Sequence, residues 1–304
     1  MQQIIGITGG TGFVGQHLKT MLIKKGHEVV IFTRNPNKKT NEQGVEYAYW
    51  NPSNEEIDID ILPKLNSVIH LAGAGVADKR WTNDRKKVIV SSRVDATNFL
   101  VKQLKQYAIN CNSFIAASAT GYYGPDRTDQ PFKETDQYYN DFLGNTCYQW
   151  ETASKTASDK FRTVIIRIGI VLGKEAGAFK EFEKPTKFGI VPILGSGKQI
   201  ISWIHVQDLA SLFTFAIETD NMSGIYNGVA PNPASNKELM KTIAQIKGGI
   251  KIPVPVPSFV LKLMLGEMSI EILKSCTASS EKIEQAGFQF QYPVLANAIN
   301  DLLH

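Results

Sequence analysis

The sequence predicts an α/β fold in which helices pack on both faces of a parallel sheet. First, short apolar runs alternate along the chain with longer segments of helical periodicity, the order expected of βαβ units. Second, a glycine-rich turn joins the first apolar run to the first helical segment. Third, the chain has 304 residues and is 43% hydrophobic, which is enough to bury a large core. Together these observations favour a doubly wound sheet whose ligands bind at the carboxyl ends of the strands.

The glycine-rich turn follows the first predicted strand. Its glycines are Gly9, Gly10, Gly12 and Gly15. Their spacing matches the G-x-G-x-x-G pattern of dinucleotide-binding turns, in which glycine lets the backbone approach a pyrophosphate closely. The helix predicted from position 13 onward would direct its free N–H groups and its positive dipole end at the phosphates. The strand, turn and helix therefore indicate a Rossmann-type nucleotide-binding domain.

The second predicted strand, residues 28–33, ends at Arg34. In NAD-binding proteins an acidic residue near this point accepts a hydrogen bond from the ribose 2′-hydroxyl, whereas an arginine accommodates a 2′-phosphate. Arg34, with Lys38 and Lys39 nearby, therefore predicts a preference for NADP(H) over NAD(H). The alternative is that Arg34 is an ordinary solvated loop cation.

The later elements continue the alternation as far as residue 173. One long helix is predicted over 82–108 and another over 148–160. Beyond residue 174 glycines and prolines become frequent, so we predict a nucleotide-binding domain at 1–173 and a smaller C-terminal α/β lobe at 174–304. This lobe is expected on the substrate side, with some segments returning to the main sheet. The further strands of the first domain are predicted at 45–50, 67–72, 113–118 and 163–168.

Composition argues against several classes of function. The net charge of +4 is too small and too evenly spread for a nucleic-acid surface. No segment approaches the roughly 18 apolar residues of a membrane span, so we expect a cytoplasmic protein without membrane contact. Cys111, Cys147 and Cys276 are too widely spaced for a disulfide framework or a clustered metal site, and no metal is expected. We expect a monomer or a homodimer.

Several segments resemble the extended short-chain dehydrogenase/reductase superfamily. Residues 8–15 resemble its nucleotide turn, and Leu71-Ala72-Gly73 resembles the end of its second cofactor-side strand. More narrowly, the whole chain is similar to an atypical branch of NAD(P)-dependent epimerase/dehydratase-like proteins that carries a small C-terminal domain of unknown function. The segments that carry this narrower resemblance are 80–82, 91–93, 118–124, 195–199, 202–205, 265–268, 286–288 and 292–293.

The resemblance implies an NADP(H) cofactor held by the glycine turn and the neighbouring strand ends. Arg93 is an expected anion contact, either to a cofactor phosphate or to an acidic substrate, and the alternative is a salt bridge on the helix surface. The residues that we expect to bind the cofactor are Gly9, Thr11, Gly12, Phe13, Val14, Arg34, Leu71, Ala72, Gly73 and Arg93.

The usual chemistry of this superfamily requires a serine or threonine, a tyrosine, and a lysine four residues after the tyrosine. A tyrosine has a pKa of about 10 in water, and a nearby ammonium lowers it toward a working value. Ser118 matches the serine, but the spacing implied by the resemblance places Leu143 at the tyrosine and Cys147 at the lysine. Neither residue can do that work. We therefore predict an atypical proton-transfer site, with the hydride chemistry left to the cofactor.

The candidates for the missing proton donor follow the strand that ends at Ser118. Tyr122 is the candidate phenol, with packing or substrate contact as its alternative. Glu134 and Asp141 lie in the loop expected to border the substrate pocket. Burial there would raise the pKa of a carboxyl group into the acid–base range, and the alternative is that both are solvated.

Two further residues have equally open roles. His205 is expected either on the far wall of the pocket or as a hydrogen-bonded core histidine. Arg167 ends a central strand near the ligand edge of the sheet, and a structural ion pair with Glu134 or Asp208 would also account for it.

The sequence therefore predicts an NADP(H)-binding protein of the extended short-chain dehydrogenase/reductase type, epimerase-like or oxidoreductase-like, that acts on a small molecule of unknown identity. The alternative is a non-catalytic sensor or regulatory protein that binds NADP. The absence of the tyrosine–lysine pair supports this alternative. A nucleotide-sugar epimerase of ordinary mechanism is disfavoured by Leu143 and Cys147.

Overall fold

The computed structural model describes residues 2–38 and 42–304, except the side chain of Lys38. Lys39, which the sequence placed near Arg34, lies outside the described residues. The strands are β1 (Ile4–Thr8), β2 (Glu28–Thr33), β3 (Val45–Asn51), β4 (Glu56–Ile57), β5 (Ser67–His70), β6 (Ser113–Ala119), β7 (Arg162–Ile168), β8 (Ile170–Leu172), β9 (Ile190–Leu194), β10 (Ile200–Ile201), β11 (Trp203–His205), β12 (Gly224–Gly228), β13 (Ala234–Ser235) and β14 (Ile252–Val256). The helices are α1 (Phe13–Lys24), α2 (Asn83–Ser91), α3 (Val94–Tyr107), α4 (Phe142–Lys155), α5 (Ala178–Thr186), α6 (Val206–Glu218), α7 (Asn236–Lys247), α8 (Ser258–Leu265), α9 (Ser269–Leu273), α10 (Glu281–Gln285) and α11 (Leu295–Leu303).

The main sheet has the strand order β12-β7-β6-β5-β1-β2-β3-β4, and its strands are parallel except for the antiparallel edge strand β4. The direction of winding reverses at β1, where Ile7 pairs with Ile31 of β2 on one side and with Ile69 of β5 on the other. This confirms the predicted doubly wound sheet. In such sheets ligands bind in the crevice at the carboxyl ends of the strands, where the winding reverses.

Apolar side chains cover both faces of the sheet, which explains why its strands read as nearly continuous apolar runs. On one face α1 and α6 pack together, and Leu18 and Phe213 belong to the same buried cluster. On the other face α3 contributes Leu100 to a second cluster. Full burial of each such side chain stabilises the fold by about 1.5–3 kcal/mol. Packing on both faces therefore fixes the strand ends that form the crevice.

The single helix predicted over 82–108 is divided in the structure. Helix α2 ends at Ser91, and α3 begins at Val94 with Arg93 as its N-terminal flanking residue. At the break, the Ser92 hydroxyl oxygen accepts a hydrogen bond from the Ala74 N–H (3.0 Å), and Arg93 Nη1 donates to the Ala74 carbonyl oxygen (2.9 Å). The break therefore places two polar side chains against the loop that follows β5.

The segment predicted as a C-terminal lobe contributes to two regions. Its strand β12 pairs with β7 in the main sheet, and its helix α6 packs on α1. Other segments surround a separate core that includes Trp203 and Leu239, whereas Ile283 of α10 packs into the cluster on the main sheet. The chain between α8 and α9 returns to the crevice side, where Glu267 forms an ion pair with Lys86 of α2 at 2.5 Å. Among the helices described, none has the length and apolarity that a membrane crossing requires.

Candidate nucleotide-binding and active site

The glycine turn is pressed against the chain that leaves β5. A Cβ atom at Gly9, whose φ is +73°, would stand 2.9 Å from the carbonyl carbon of Leu71 and 3.0 Å from the nitrogen of Ala72. A Cβ atom at Gly15 would stand 2.5 Å from both the Cα of Gly10 and the carbonyl oxygen of Gly9. Real Cβ atoms do not approach backbone this closely, so both positions require glycine. The two glycines thus hold the turn across the point where the winding of the sheet reverses.

The first turn of α1 is open to an anion. Gly12 precedes the helix with an extended backbone and donates its N–H to the Gly9 carbonyl oxygen (3.0 Å), and no side chain in the described part of the protein caps the helix. The first N–H groups of α1, including those of Phe13 and Val14, therefore have no partner within the helix. Thr11 is exposed at the tip of the turn. A turn built largely of glycine, followed by free N–H groups, fits a pyrophosphate.

Arg34 lies at the carboxyl end of β2, on the side of β1 away from β5. Its side chain is exposed. None of the ion pairs formed by the described residues includes Arg34. The guanidinium is therefore accessible at the strand end where the sequence predicts contact with a 2′-phosphate.

Arg93 lies beneath Gly73 on the other side of β1. A Cβ atom at Gly73 would stand 3.1 Å from the Arg93 Cζ, so the guanidinium packs directly under the backbone of the crevice. The same Cζ lies 5.1 Å from the centre of the Trp150 ring on α4. Leu71, Ala72, Gly73 and Arg93 therefore form one packed group at the end of β5.

A buried hydrogen-bond chain connects β1, β5 and α3 below this group. Thr97 Oγ1 donates to the Arg93 carbonyl oxygen (2.5 Å), so it accepts from His70 Nε2–H (2.9 Å). His70 Nδ1 then accepts from the Thr8 hydroxyl (2.6 Å). Burial, with a smaller contribution from Arg93, lowers the pKa of His70 to about 3. This histidine is neutral and structural, and no local sequence pattern predicts its partners.

Ser118 belongs to a buried ion-pair network. Its hydroxyl donates to Glu151 Oε1 (2.8 Å), and Glu151 accepts two parallel hydrogen bonds from Arg167 at 2.7 and 2.9 Å. The three residues are at most 2% exposed. Burial alone would lower the pKa of Arg167, but the hydrogen bonds to Glu151 raise it above the ordinary value. The Ser118 hydroxyl thus faces the ion pair, whereas the sequence placed it against a substrate oxygen.

The partner of Arg167 differs from both partners that the sequence suggested. Its carboxylate partner is Glu151, while Glu134 contributes only its backbone carbonyl oxygen, which accepts from Arg167 Nη1 at 3.2 Å. Asp208 instead accepts from the backbone N–H groups of Gln291 and Tyr292 at 2.8 and 2.9 Å. The distance in sequence between Arg167 and Glu151 gave no local pattern from which to predict this pair.

The two adjacent tyrosines contact Arg167 in different ways. The Tyr123 hydroxyl accepts from Arg167 Nη1 (2.9 Å) and donates to Asn227 Oδ1 (2.6 Å), which makes it a fully buried structural group. The Tyr122 ring lies over the guanidinium, with its centre 3.5 Å from Cζ. Burial raises the pKa of Tyr122, although Arg167 acts in the opposite direction. The Tyr122 phenol is therefore protonated at neutral pH, the form that donates a proton.

Leu143 and Cys147 lie on the face of α4 that contacts the turn after β6. A Cβ atom at Gly121 would stand 3.4 Å from Leu143 Cβ and 3.9 Å from Cys147 Sγ. Burial raises the pKa of Cys147 to about 12, although Arg93 lowers it. The thiol is therefore neutral at this position.

The two loop carboxylates form structural contacts. Asp141 precedes α4, and its Oδ1 accepts from the Gly144 N–H at 2.7 Å. Glu134 Oε1 accepts from the Asn227 N–H at 2.8 Å. Both carboxylates are thus bonded to backbone at the border of the site, as a helix cap and as a loop anchor.

His205 is a buried residue that caps α6. Its Nδ1 accepts from the Gln207 N–H (3.2 Å), so the proton of the neutral ring is on Nε2, which lies 3.3 Å from Asp301. Burial lowers the pKa of His205 to about 4, although Asp301 raises it. With no exposed surface, this side chain corresponds to the core histidine and not to the pocket wall, but among the described residues only its Nδ1 is hydrogen-bonded.

A buried ion pair that the sequence did not predict lies where the C-terminal lobe meets the start of α4. Lys274, with a side chain only 8% exposed, lies 2.8 Å from Glu271 and 3.9 Å from Asp141. Burial raises the pKa of Glu271, although Lys274 lowers it. Only the tertiary contact with Asp141 distinguishes this pair from an ordinary surface pair three residues apart.

A cavity of about 750 Å³ lies at the amino ends of the strands, at the opposite end of the sheet from this crevice. Its lining includes His27, Glu28 and Val45, at the amino ends of β2 and β3. No cluster of three or more metal-ligating side chains occurs in the described ranges. The carboxyl ends of the strands around the glycine turn are therefore the candidate site.

Known families and relatives match this chain over nearly its whole length. The model of the NAD dependent epimerase/dehydratase family matches residues 5–227, and a domain of unknown function (DUF1731) matches residues 256–302. The epimerase family protein YfhF of Bacillus subtilis is 36% identical over 300 residues, which cover 98% of this chain and 97% of the relative. The human epimerase family protein SDR39U1 is 29% identical over 306 residues, covering 100% of both chains.

Solved structures agree with the sequence relatives. The crystal structure of human SDR39U1 (isoform 2) with NADPH superposes with a TM-score of 0.86 at 28% identity and covers 98% of both chains. A UDP-glucuronic acid 4-epimerase from Bacillus cereus shares the fold, with a TM-score of 0.81 at 20% identity over 97% of this chain and 96% of that one. By its family match and its relatives, the chain belongs to the NAD-dependent epimerase/dehydratase family.

Proposed function

We propose that this protein binds NADP(H) across the point where the sheet reverses its winding. The contact of Gly9 and Gly15 with backbone, beside the open first turn of α1, carries the proposal because this cradle fits a pyrophosphate. Exposed Arg34 at the end of β2 would hold the 2′-phosphate. The human relative solved with NADPH supports the same cofactor.

We further propose that the protein is an oxidoreductase-like or epimerase-like enzyme acting on a small molecule. The dinucleotide, when bound, supplies hydride chemistry. Tyr122 would donate a proton to a substrate oxygen, and the Arg167 guanidinium over its ring would stabilise the phenolate left behind. Ser118 would act as a positioning residue, because it holds the Glu151 carboxylate that fixes Arg167.

A non-catalytic NADP-binding regulatory protein is the second candidate. It is favoured by the residues that contact Gly121 in the turn that carries Tyr122. These are Leu143 and Cys147, which stand where the resemblance places the usual tyrosine and lysine. Neither side chain can transfer a proton at neutral pH, since one is aliphatic and the pKa of the other is about 12.

Fluorescence titration with NADPH and NADH tests cofactor binding. The wild-type protein should bind NADPH more tightly, and Arg34→Glu should lower NADPH affinity by about tenfold or more while sparing NADH, because it sets a carboxylate against the 2′-phosphate. Lys241→Glu, which reverses an exposed cation on α7, is the matched control and should change neither affinity. Equal affinity for the two cofactors, or none, would contradict the proposal.

Deuterium transfer separates the enzyme from the regulatory protein. NADPH deuterated at nicotinamide C4 would be incubated with a panel of 4-keto nucleotide sugars and simple carbonyl compounds, whose carbonyl carbon can accept the deuteride, and products would be analysed by mass spectrometry. Transfer that Tyr122→Phe abolishes without changing NADPH affinity supports the enzyme. Tight NADPH binding without transfer to any member of the panel supports the regulatory protein.

A further inference from the structure

The Arg93 guanidinium is a half-buried cation held at the edge of the crevice. Its Nη1 donates to the carbonyl oxygens of Ala74 (2.9 Å) and Ile89 (3.1 Å), which joins the end of α2 to the loop after β5. The group packs against Gly73, and its Cζ lies 5.1 Å from the centre of the Trp150 ring. These contacts fix the position of the charge.

No carboxylate forms an ion pair with this guanidinium. Every aspartate and glutamate of the chain belongs to the described residues, and none of them forms an ion pair with Arg93. Burial lowers the pKa of Arg93, and Asp78, whose charge raises it, is itself paired with the cation Arg85 of α2 at 3.5 Å. A half-buried cation without an anion is unfavourable, so its field acts on whatever occupies the crevice.

The sheet order shows which half of a dinucleotide would experience this field. Arg34 follows β2, whereas Gly73 follows β5, so the two arginines lie on opposite sides of β1. Trp150 belongs to α4, which packs on β6 beside Gly121 and Tyr122. If Arg34 marks the adenosine half, Arg93 lies on the nicotinamide half.

We propose that Arg93 makes the site sense the oxidation state of the nicotinamide, by disfavouring NADP⁺ relative to NADPH. The inference rests on the proposed binding of NADP(H). The oxidised ring carries a positive charge that the reduced ring lacks, whereas the phosphates are the same in both forms. A fixed cation near the ring therefore repels only the oxidised form, and it makes bound NADP⁺ a stronger hydride acceptor.

Two simpler roles for Arg93 give different results. If the guanidinium bound only the pyrophosphate, its removal would weaken both cofactor forms by the same factor. If it only joined Ala74 to Ile89, its removal would lower stability and leave the ratio of the two affinities unchanged. The ratio of the dissociation constants of NADP⁺ and NADPH therefore isolates the proposed role.

Arg93→Met and Arg93→Lys test the proposal, with both dissociation constants measured by calorimetric titration. Arg93→Met should lower the ratio of the NADP⁺ constant to the NADPH constant by about fivefold or more, and Arg93→Lys, which keeps the charge, should preserve most of it. A tenfold change in this ratio corresponds to about 30 mV in the potential of the bound two-electron couple.

Arg162→Met is the matched control. Arg162 is also half-buried, and it donates to the carbonyl oxygens of Ala216, Met222 and Ile217 at 2.8–3.0 Å, but at the amino end of β7. Its removal should cost stability without changing the ratio. Thermal melting of each variant verifies folding, and Arg93→Gln replaces Arg93→Met if the latter does not fold.

An unchanged ratio in the neutral variants overturns the inference, whether both affinities fall equally or neither falls. If the wild-type protein binds both forms but the ratio does not depend on residue 93, this inference fails and the proposed cofactor stands. Wild-type protein that binds neither form overturns the proposed function and this inference together.

Discussion

The guanidinium of Arg167 stacks on the ring of Tyr122, with its Cζ 3.5 Å from the ring centre. Because Glu151 fixes that guanidinium through two hydrogen bonds, the ring is supported by a group that cannot easily move. The contact joins β7, α4 and the turn after β6 into one rigid unit. The candidate proton donor, Tyr122, is thus positioned by an ion pair that is buried away from solvent.

Loss of the Glu151 charge should destabilise the fold strongly. Glu151→Gln leaves Arg167 as an unpaired buried cation, and removing one partner of a buried pair costs about 3–5 kcal/mol. Urea denaturation measures the free energy of unfolding. Glu175→Gln removes the carboxylate of an exposed pair with His17 and should cost less than about 1 kcal/mol. If the two variants lose similar free energies of unfolding, the pair of Arg167 with Glu151 does not support the fold as described.

Stability should fall as pH drops below about 6.5, the pKa of an unfolded histidine. The folded-state pKa is lowered to about 3 for His70 and about 4 for His205, in both cases mainly by burial. The unfolded chain therefore binds more protons in this range, and each histidine lowers the free energy of unfolding by about 1.4 kcal/mol per pH unit.

Urea denaturation at pH 7, 6 and 5 measures this slope. His70→Gln should reduce the slope between pH 6 and 5 by about 1.4 kcal/mol per unit, because it removes one titrating group. Asn297→Ala, at an exposed position of α11 that carries no ionisable group, should leave the slope unchanged. Equal slopes for the wild type and His70→Gln would mean that His70 does not titrate as described.

The glycine turn should not tolerate even a methyl group at Gly15. A Cβ atom there meets backbone at 2.5 Å, so Gly15→Ala must displace α1 from the turn. We expect a loss of about 1–3 kcal/mol in stability and loss of most NADPH affinity. Gly26→Ala is the control, since nothing lies within 4 Å of the added atom, so that its φ of +86° strains only its own backbone and leaves the glycine turn in place. NADPH titration should find Gly26→Ala unchanged, and normal binding by Gly15→Ala would contradict the role of the turn.

The sequence predicted those features whose signals are local. The glycine turn, the strand that ends at Arg34 and the alternation of strands with helices are each encoded in a few consecutive residues, and the doubly wound sheet follows from them. The break at Arg93 was missed because helical periodicity continues across it, and the contact with Ala74 that accompanies it comes from a loop about 20 residues away. The pairing of Arg167 with Glu151 was missed for a similar reason, since it depends on how α4 packs against β7.

The Thr97 hydroxyl should fix the tautomer of His70. It donates its only proton to the Arg93 carbonyl oxygen and so must accept from His70 Nε2–H. Thr97→Val leaves that buried N–H without a partner, which should cost about 1–3 kcal/mol, whereas Thr97→Ser keeps the hydroxyl and should cost less. Nitrogen-15 NMR of wild-type protein should find the proton of neutral His70 on Nε2. A proton on Nδ1 would reverse every donor and acceptor in the chain from Thr8 to Thr97, and Thr97 could then no longer donate to the Arg93 carbonyl oxygen at the start of α3.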